Sequence, residues 1–263
     1  MNKKLGCLLL MGILNLSAKN VLEESGLHEY EAGMGFFYSE LVELNTILYL
    51  AEQIVQFPFD LFTHRDDIIF FTIVMGSFHD SAILIITRLA TDQAGDLFTL
   101  PRFKNRVRDW VKSKFKDAFD VRLREARFEA GVKSLFEKAR ELRRHRIAHT
   151  TQEFISGGVK LSRPNISELK ELRDALNSLL DALSFNVEHM MLPIPYDPRV
   201  IHPVESNHKT DIEKILDRIA KDSHILNMPE KNPERWRYRR SNLSEDKLKI
   251  LNQYRRKFNL PEA

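Results

Sequence analysis

Arginine and histidine alternate in Arg144-His145-Arg146-Ile147-Ala148-His149, near the middle of a 263-residue chain. Histidine exchanges protons near neutral pH, and guanidinium grips phosphate through a two-pronged fork. At this spacing the two suit acid–base work on an anionic substrate. His149 is the candidate base or acid. Arg144, with Arg143 as stand-in, is the candidate phosphate clamp, and His145 would orient the imidazole or contact phosphate. Arg140 and Arg146 add positive charge around them.

These residues need a helix to hold them. From Phe128 to Leu142, apolar residues fall at Phe128, Val132, Leu135, Phe136, Ala139 and Leu142, a helical period with one buried stripe. His149 lies seven positions beyond Leu142, so a continuing helix carries it on the same face, with His145 one turn behind. A second helix is expected over Ile68 to Leu89, with Ile69, Ile73, Gly76, Ile83, Ile86 and Leu89 inside, ending in Thr87-Arg88-Leu89-Ala90-Thr91-Asp92.

The arginine, followed by a hydrogen-bonding residue and then by histidine at the end of a bundle helix, resembles the signature of the HEPN superfamily of helical ribonucleases and nucleotide-binding proteins. The Thr87–Asp92 ending resembles a Ser/Thr-Arg-Leu-x-x-Asp signature of its abortive-infection branch, with Arg88 in a supporting role. The likeness runs over about Phe36 to Met191. In that branch the arginine usually precedes the histidine by six residues and is followed by Asp or Asn. Here that position is Arg143, followed by Arg144, so the two arginines compete for one role. The resemblance implies an all-α bundle and a homodimer whose two motif helices form one cleft. It further implies metal-independent RNA cleavage leaving a 2′,3′-cyclic phosphate, in a toxin–antitoxin or anti-phage setting where an antitoxin protein is a possible partner. No cofactor and no metal is called for. The alternatives are a non-catalytic RNA-binding or toxin-partner module, which needs only the basic face, and an exported helical interaction protein.

Composition bounds these readings. A single cysteine, Cys7, leaves no disulfide framework or cysteine zinc cluster, and a reducing, cytoplasmic setting is the default. The net charge of +3 is unevenly spread: residues 102–146 carry 16 basic and 7 acidic side chains, while residues 1–101 carry 5 and 13. Positive charge directly before the motif suits capture of phosphate, although a charge run is as often a solvated helix face. Lys3-Lys4 and the apolar run Leu5 to Leu16 have the form of a signal peptide, of an amphipathic first helix, or of a start placed too early, with Met34 an alternative start. That run is too short to span a membrane, no other stretch has the length or apolarity to cross a bilayer, and no membrane partner is implied.

Three segments are expected: 1–34 as an N-terminal piece, 35–192 as the bundle, and 193–263 as a proline-rich linker with a basic helical appendage. Within the bundle, a helix runs from Phe36 to Pro58. His79-Asp80 reads as an inward polar pair supporting the core in preference to a reach toward the motif. A turn is expected around Gly157-Gly158, and Asn165 with Glu168 announces a capped helix. The appendage should hold helices at Thr210–Lys221 and Ser244–Phe258. Between them, Arg235-Trp236-Arg237-Tyr238-Arg239-Arg240 interleaves rings with guanidinium groups, a pattern for RNA bases and phosphates, with Trp236 folded back on the bundle and the arginines in solvent as the equal alternative.

Overall fold

The computed structural model describes residues 16–63, 68–90, 98–126, 128, 132–147, 150–158, 160–185 and 209–263. Among these residues the protein is helical without strands, as the sequence led us to expect. The elements are α1 (Ala18–Val21), α2 (Glu24–Gln56), α3 (Phe59–Phe62), α4 (Ile69–Ala90), α5 (Leu100–Trp110), α6 (Lys116–Glu125), α7 (Lys133–Leu142), α8 (Gln152–Ile155) and α9 (Ile166–Leu183). They continue as α10 (Asp211–Asp222), α11 (His224–Lys231), α12 (Pro233–Ser241) and α13 (Glu245–Lys257). The proline cluster from Pro193 to Pro203, and the apolar run before residue 16, lie outside the described residues.

The chain forms two compact units: residues 1–49 with 78–197, and residues 50–77 with 198–263. This division differs from the three consecutive segments read from the sequence. The segment around Pro58 joins the C-terminal residues, and the boundary expected at residue 34 falls inside α2.

In the first unit, α2 supplies Phe37, Leu41, Leu44 and Leu48 to a core completed by Ile83, Ile86 and Leu89 of α4, Phe103 of α5, Phe119 of α6, Leu142 of α7 and Leu172, Leu176 and Leu183 of α9. The helix expected from Phe36 begins twelve residues earlier, at Glu24. Gly26 and Gly33 lie within it because neighbouring rings press on the backbone there. A Cβ on Gly26 would sit 2.3 Å from Cγ of Trp110, and one on Gly33 would sit 2.4 Å from Cε2 of Phe103. Val21, Leu22, Tyr30 and Met34 are buried in the same core, so residues 16–34 are part of the bundle. The amides of Glu23 and Lys112 donate to the carbonyls of Trp110 and Val21, at 2.8 and 3.0 Å, joining that piece to the end of α5.

Two buried groups close the far end of α9. The Tyr30 hydroxyl donates to the Leu183 carbonyl (3.1 Å) and accepts from the Phe185 amide (3.2 Å), and burial pushes its pKa up to about 12. Arg122 donates to the carbonyls of Ser184 (2.6 Å) and Asp181 from an almost fully buried position.

α4 corrects two expectations. It is long and apolar enough to cross a bilayer by length and composition alone, where the sequence led us to expect no such stretch. Its second half is core, with Ala82, Ile83, Ile85, Ile86 and Leu89 buried. Its first half is not: Ile69 and Ile73, read as inward, are exposed, as is Phe70.

The second unit has its own core, in which Phe57, Leu61 and Phe62 pack with Leu216, Ala220, Leu226, Trp236 and Leu251. Arg255 is fully buried inside it, bonded to the Leu226 and Pro261 carbonyls and to Glu230. That ion pair holds the Glu230 carboxyl below its ordinary pKa. Residues 209–263 are therefore no loose appendage; their helices need residues 57–62 to bury their apolar faces.

Candidate functional site

The motif grows out of α7. Phe136, Ala139 and Leu142 bury one side of that helix, and Lys138 pairs with Glu168 of α9 at 2.8 Å. Glu168 also completes the capping box with Asn165, so a single carboxylate joins the start of α9 to α7 and has its pKa lowered by Lys138. Beyond Leu142 the helix does not continue in α geometry. Arg143–Ile147 forms a turn of π-helix, the wider i to i+5 pattern that recurs at functional sites. His149 and Ala148 lie outside the described residues.

His145 is buried in this turn. Its Nδ1 lies 2.9 Å from the Thr151 hydroxyl and its Nε2 lies 3.1 Å from the Glu141 carboxylate, while its carbonyl accepts from the Thr151 amide at 3.2 Å. With both ring nitrogens engaged inside the protein, the contact with phosphate considered from the sequence is closed to it in this arrangement. What it does is hold Thr151 against the turn. Neither partner was legible as such: Glu141 is one turn back, but Thr151 arrives only because the chain folds over.

The arginines separate by exposure. Arg144 and Arg146 point to solvent and have no ion-pair partner among the described residues, whereas Arg143 is half-buried. Arg140 pairs with Glu137 on its own helix at 2.8 Å. Arg88 pairs with Glu40 of α2, and the preceding Thr87 turns inward, its hydroxyl donating to the Ile83 carbonyl at 2.7 Å. Asp92, the last residue of that signature, lies outside the described residues.

His79 and Asp80 meet a residue the sequence reading did not single out. Arg163 donates from Nε to His79 Nδ1 at 2.9 Å and pairs with Asp80 at 2.5 Å. Nδ1 therefore carries no proton, and Nε2–H donates to the Pro164 carbonyl at 2.6 Å. Burial lowers the pKa of His79 and keeps it neutral. The pair secures the chain entering α9.

Much of the basic segment before the motif is already committed. Arg106 pairs with Glu29, Arg108 forks onto Asp120 at 2.6 and 2.8 Å, and Arg122 is spent on carbonyls in the core. The exposed cations of this stretch without an ion-pair partner among the described residues include Lys116, Arg124 and Lys133 as well as Arg144 and Arg146. Among the described residues, no group of three or more His, Cys, Asp or Glu is arranged to hold a metal ion.

In the second unit, Arg235 to Arg240 lies on α12. Trp236 is 7% exposed and fills the core, which corrects its assignment as a ring open to RNA bases. Apolar partners contributed by residues 57–62 claimed it. Tyr238 stays 75% exposed, and Arg235 and Arg237 are exposed beside it.

Residues 64–198, just over half the chain, match the family model HEPN_AbiU2, described as AbiU2. The chain belongs to this abortive-infection family of HEPN proteins. The AbiU2 match takes in α4 with Arg88, α7, the π turn and α9. It leaves residues 209–263 outside. No curated protein and no solved structure matches the chain.

Proposed function

We propose that this AbiU2-type HEPN protein is a metal-independent endoribonuclease acting in the cytoplasm in abortive infection, as a homodimer and with an antitoxin protein as a possible partner. The observation that carries the reading is the turn after α7: exposed Arg144 and Arg146 flank a buried His145 that bonds Thr151, with His149 between those two residues in the sequence.

RNA brings its own nucleophile. His149 takes the proton of the 2′-hydroxyl as the O2′–P bond forms, and the P–O5′ bond breaks as the departing oxygen receives a proton from the second subunit's histidine. The products are a 2′,3′-cyclic phosphate and a 5′-hydroxyl. Arg144, with Arg143 behind it, neutralises the phosphorane oxygens.

The test is incubation of the purified chain with labelled RNA and with DNA of the same sequence, in excess EDTA. RNA should be cut and DNA spared, because DNA lacks the nucleophile. Salt-sensitive binding without product would favour the non-catalytic RNA-binding reading instead.

A further inference from the structure

The second unit carries an open cavity of about 980 Å³ that the cleavage reading does not use. Its floor is apolar, formed by Phe62, Phe71 and Met228 among others. Two large aromatic side chains on its border stay open to solvent, Phe70 at 65% and Tyr238 at 75% exposure. A ring left uncovered beside an apolar cavity has a π-face available for a flat partner.

Charge around the cavity is asymmetric in what is satisfied. Its two carboxylates are already neutralised by cations outside it: Asp60 pairs with Lys247 at 2.7 Å, and Asp222 pairs with Arg218 at 2.5 Å. Its two guanidinium groups, Arg235 and Arg239, have no ion-pair partner among the described residues. Arg235, Tyr238 and Arg239 stand at positions i, i+3 and i+4 of α12, so they share one face. Trp236, buried on another side, fixes the rotation of the helix that presents them.

Open aromatic faces and unmatched guanidinium forks within one cavity suit a ligand that is flat at one end and anionic at the other. A nucleotide has that chemistry, and the volume lies within the range of small-molecule sites. We propose that this cavity is a nucleotide-binding site, with the base against Phe70 and Tyr238 and the phosphate on Arg235 and Arg239. The nucleotide is either free or one unpaired residue of an RNA strand. The site stands apart from the motif after α7 and does not depend on cleavage there.

Titration calorimetry of the full chain tests it, using AMP, adenosine, inorganic phosphate and a short 2′-O-methyladenosine oligonucleotide that cannot be cleaved by attack of its own 2′-hydroxyl. AMP should bind with a dissociation constant of about 1 mM or tighter, at least tenfold better than adenosine or phosphate. Tyr238→Ala and the pair Arg235→Ala with Arg239→Ala should each weaken AMP about tenfold or more, and Tyr238→Phe should retain binding. Phe70→Ala, on a different helix, should weaken it too and provides a variant independent of α12. An oligonucleotide that displaces AMP and binds more tightly identifies a residue of RNA as the ligand; AMP binding without displacement identifies a free nucleotide. Absence of binding by AMP and oligonucleotide alike, or binding that all these variants leave unchanged, overturns the proposal. None of these readouts involves turnover, so an inactive motif would leave them intact.

Discussion

The turn after α7 and the helix α12 are both rich in arginine, and they differ in what accompanies it. Around Arg143 to Arg146 the companion is histidine, held by Thr151 and Glu141 in a widened helical turn. Around Arg235 to Arg240 it is aromatic, with Trp236 locked in a core and Tyr238 open beside a cavity. Guanidinium alone binds phosphate in either place. In the proposed reading the imidazoles near the first set of arginines carry proton transfer, and the open ring beside the second serves to hold a ligand.

The largest effect that would sharpen this contrast is at Arg144. Arg144→Ala should lower the RNA cleavage rate about 100-fold, as expected for a group that meets charge developing in the transition state, with much less effect on RNA affinity. Arg143→Ala should cost less. The opposite order, measured by single-turnover kinetics, would assign the phosphate clamp to the six-residue spacing.

α12 should respond in stability and binding, not in chemistry. Trp236→Ala should destabilise the second unit by about 3 kcal/mol, the usual cost of deleting a large buried ring, as read by urea denaturation. Truncation before residue 209 should leave Phe57, Leu61 and Phe62 uncovered and give an aggregating product by size-exclusion chromatography. A soluble, monodisperse truncated chain would restore the view of residues 193–263 as a separable appendage.

His145 tests whether position, and not contact with substrate, is its contribution. His145→Ala should slow cleavage about tenfold and cost about 1 to 2 kcal/mol in stability, since it removes the ring's hydrogen bonds to Thr151 and Glu141. His145→Asn, which can still reach Thr151, should recover part of both. A variant with an altered pH–rate profile but unchanged stability would instead place His145 in the chemistry.

The smallest effect concerns pH. Because burial lowers the folded-state pKa of His79, the unfolded chain binds the extra proton first as pH falls below about 6.5. The stability contributed by neutral His79 is therefore complete above that pH and is lost as pH falls toward the folded value. Thermal melts at about pH 7.5 and about pH 5.5 should differ more for the wild type than for His79→Gln.

Local signals in the sequence served well where local physics decides. The capping box at Asn165 and Glu168, the bounds of α4 and the helical character throughout were legible because each depends on residues within a few turns. The helix start was placed at Phe36, twelve residues late, because what accommodates Gly33 within the helix is a ring of α5, far along the chain. Trp236 and residues 57–62 meet across more than 170 positions, and no periodicity shows such a pairing. At the motif, residue types and spacing pointed to Arg144, His145 and His149. The division of labour between exposed Arg144 and inward-bonded His145 needed the fold of the chain around Thr151.

The central claim, that histidine chemistry at the end of α7 cleaves RNA, is tested most directly by His149→Ala. Labelled RNA, excess EDTA and matched concentrations of wild type and variant are sufficient, with product ends resolved by their susceptibility to phosphatase before and after acid opening of a cyclic phosphate. The wild type should yield 2′,3′-cyclic phosphate ends, and the variant, folded by circular dichroism, should be slower by at least about 100-fold. An alanine variant as active as the wild type, or a wild type silenced by EDTA, would contradict the account.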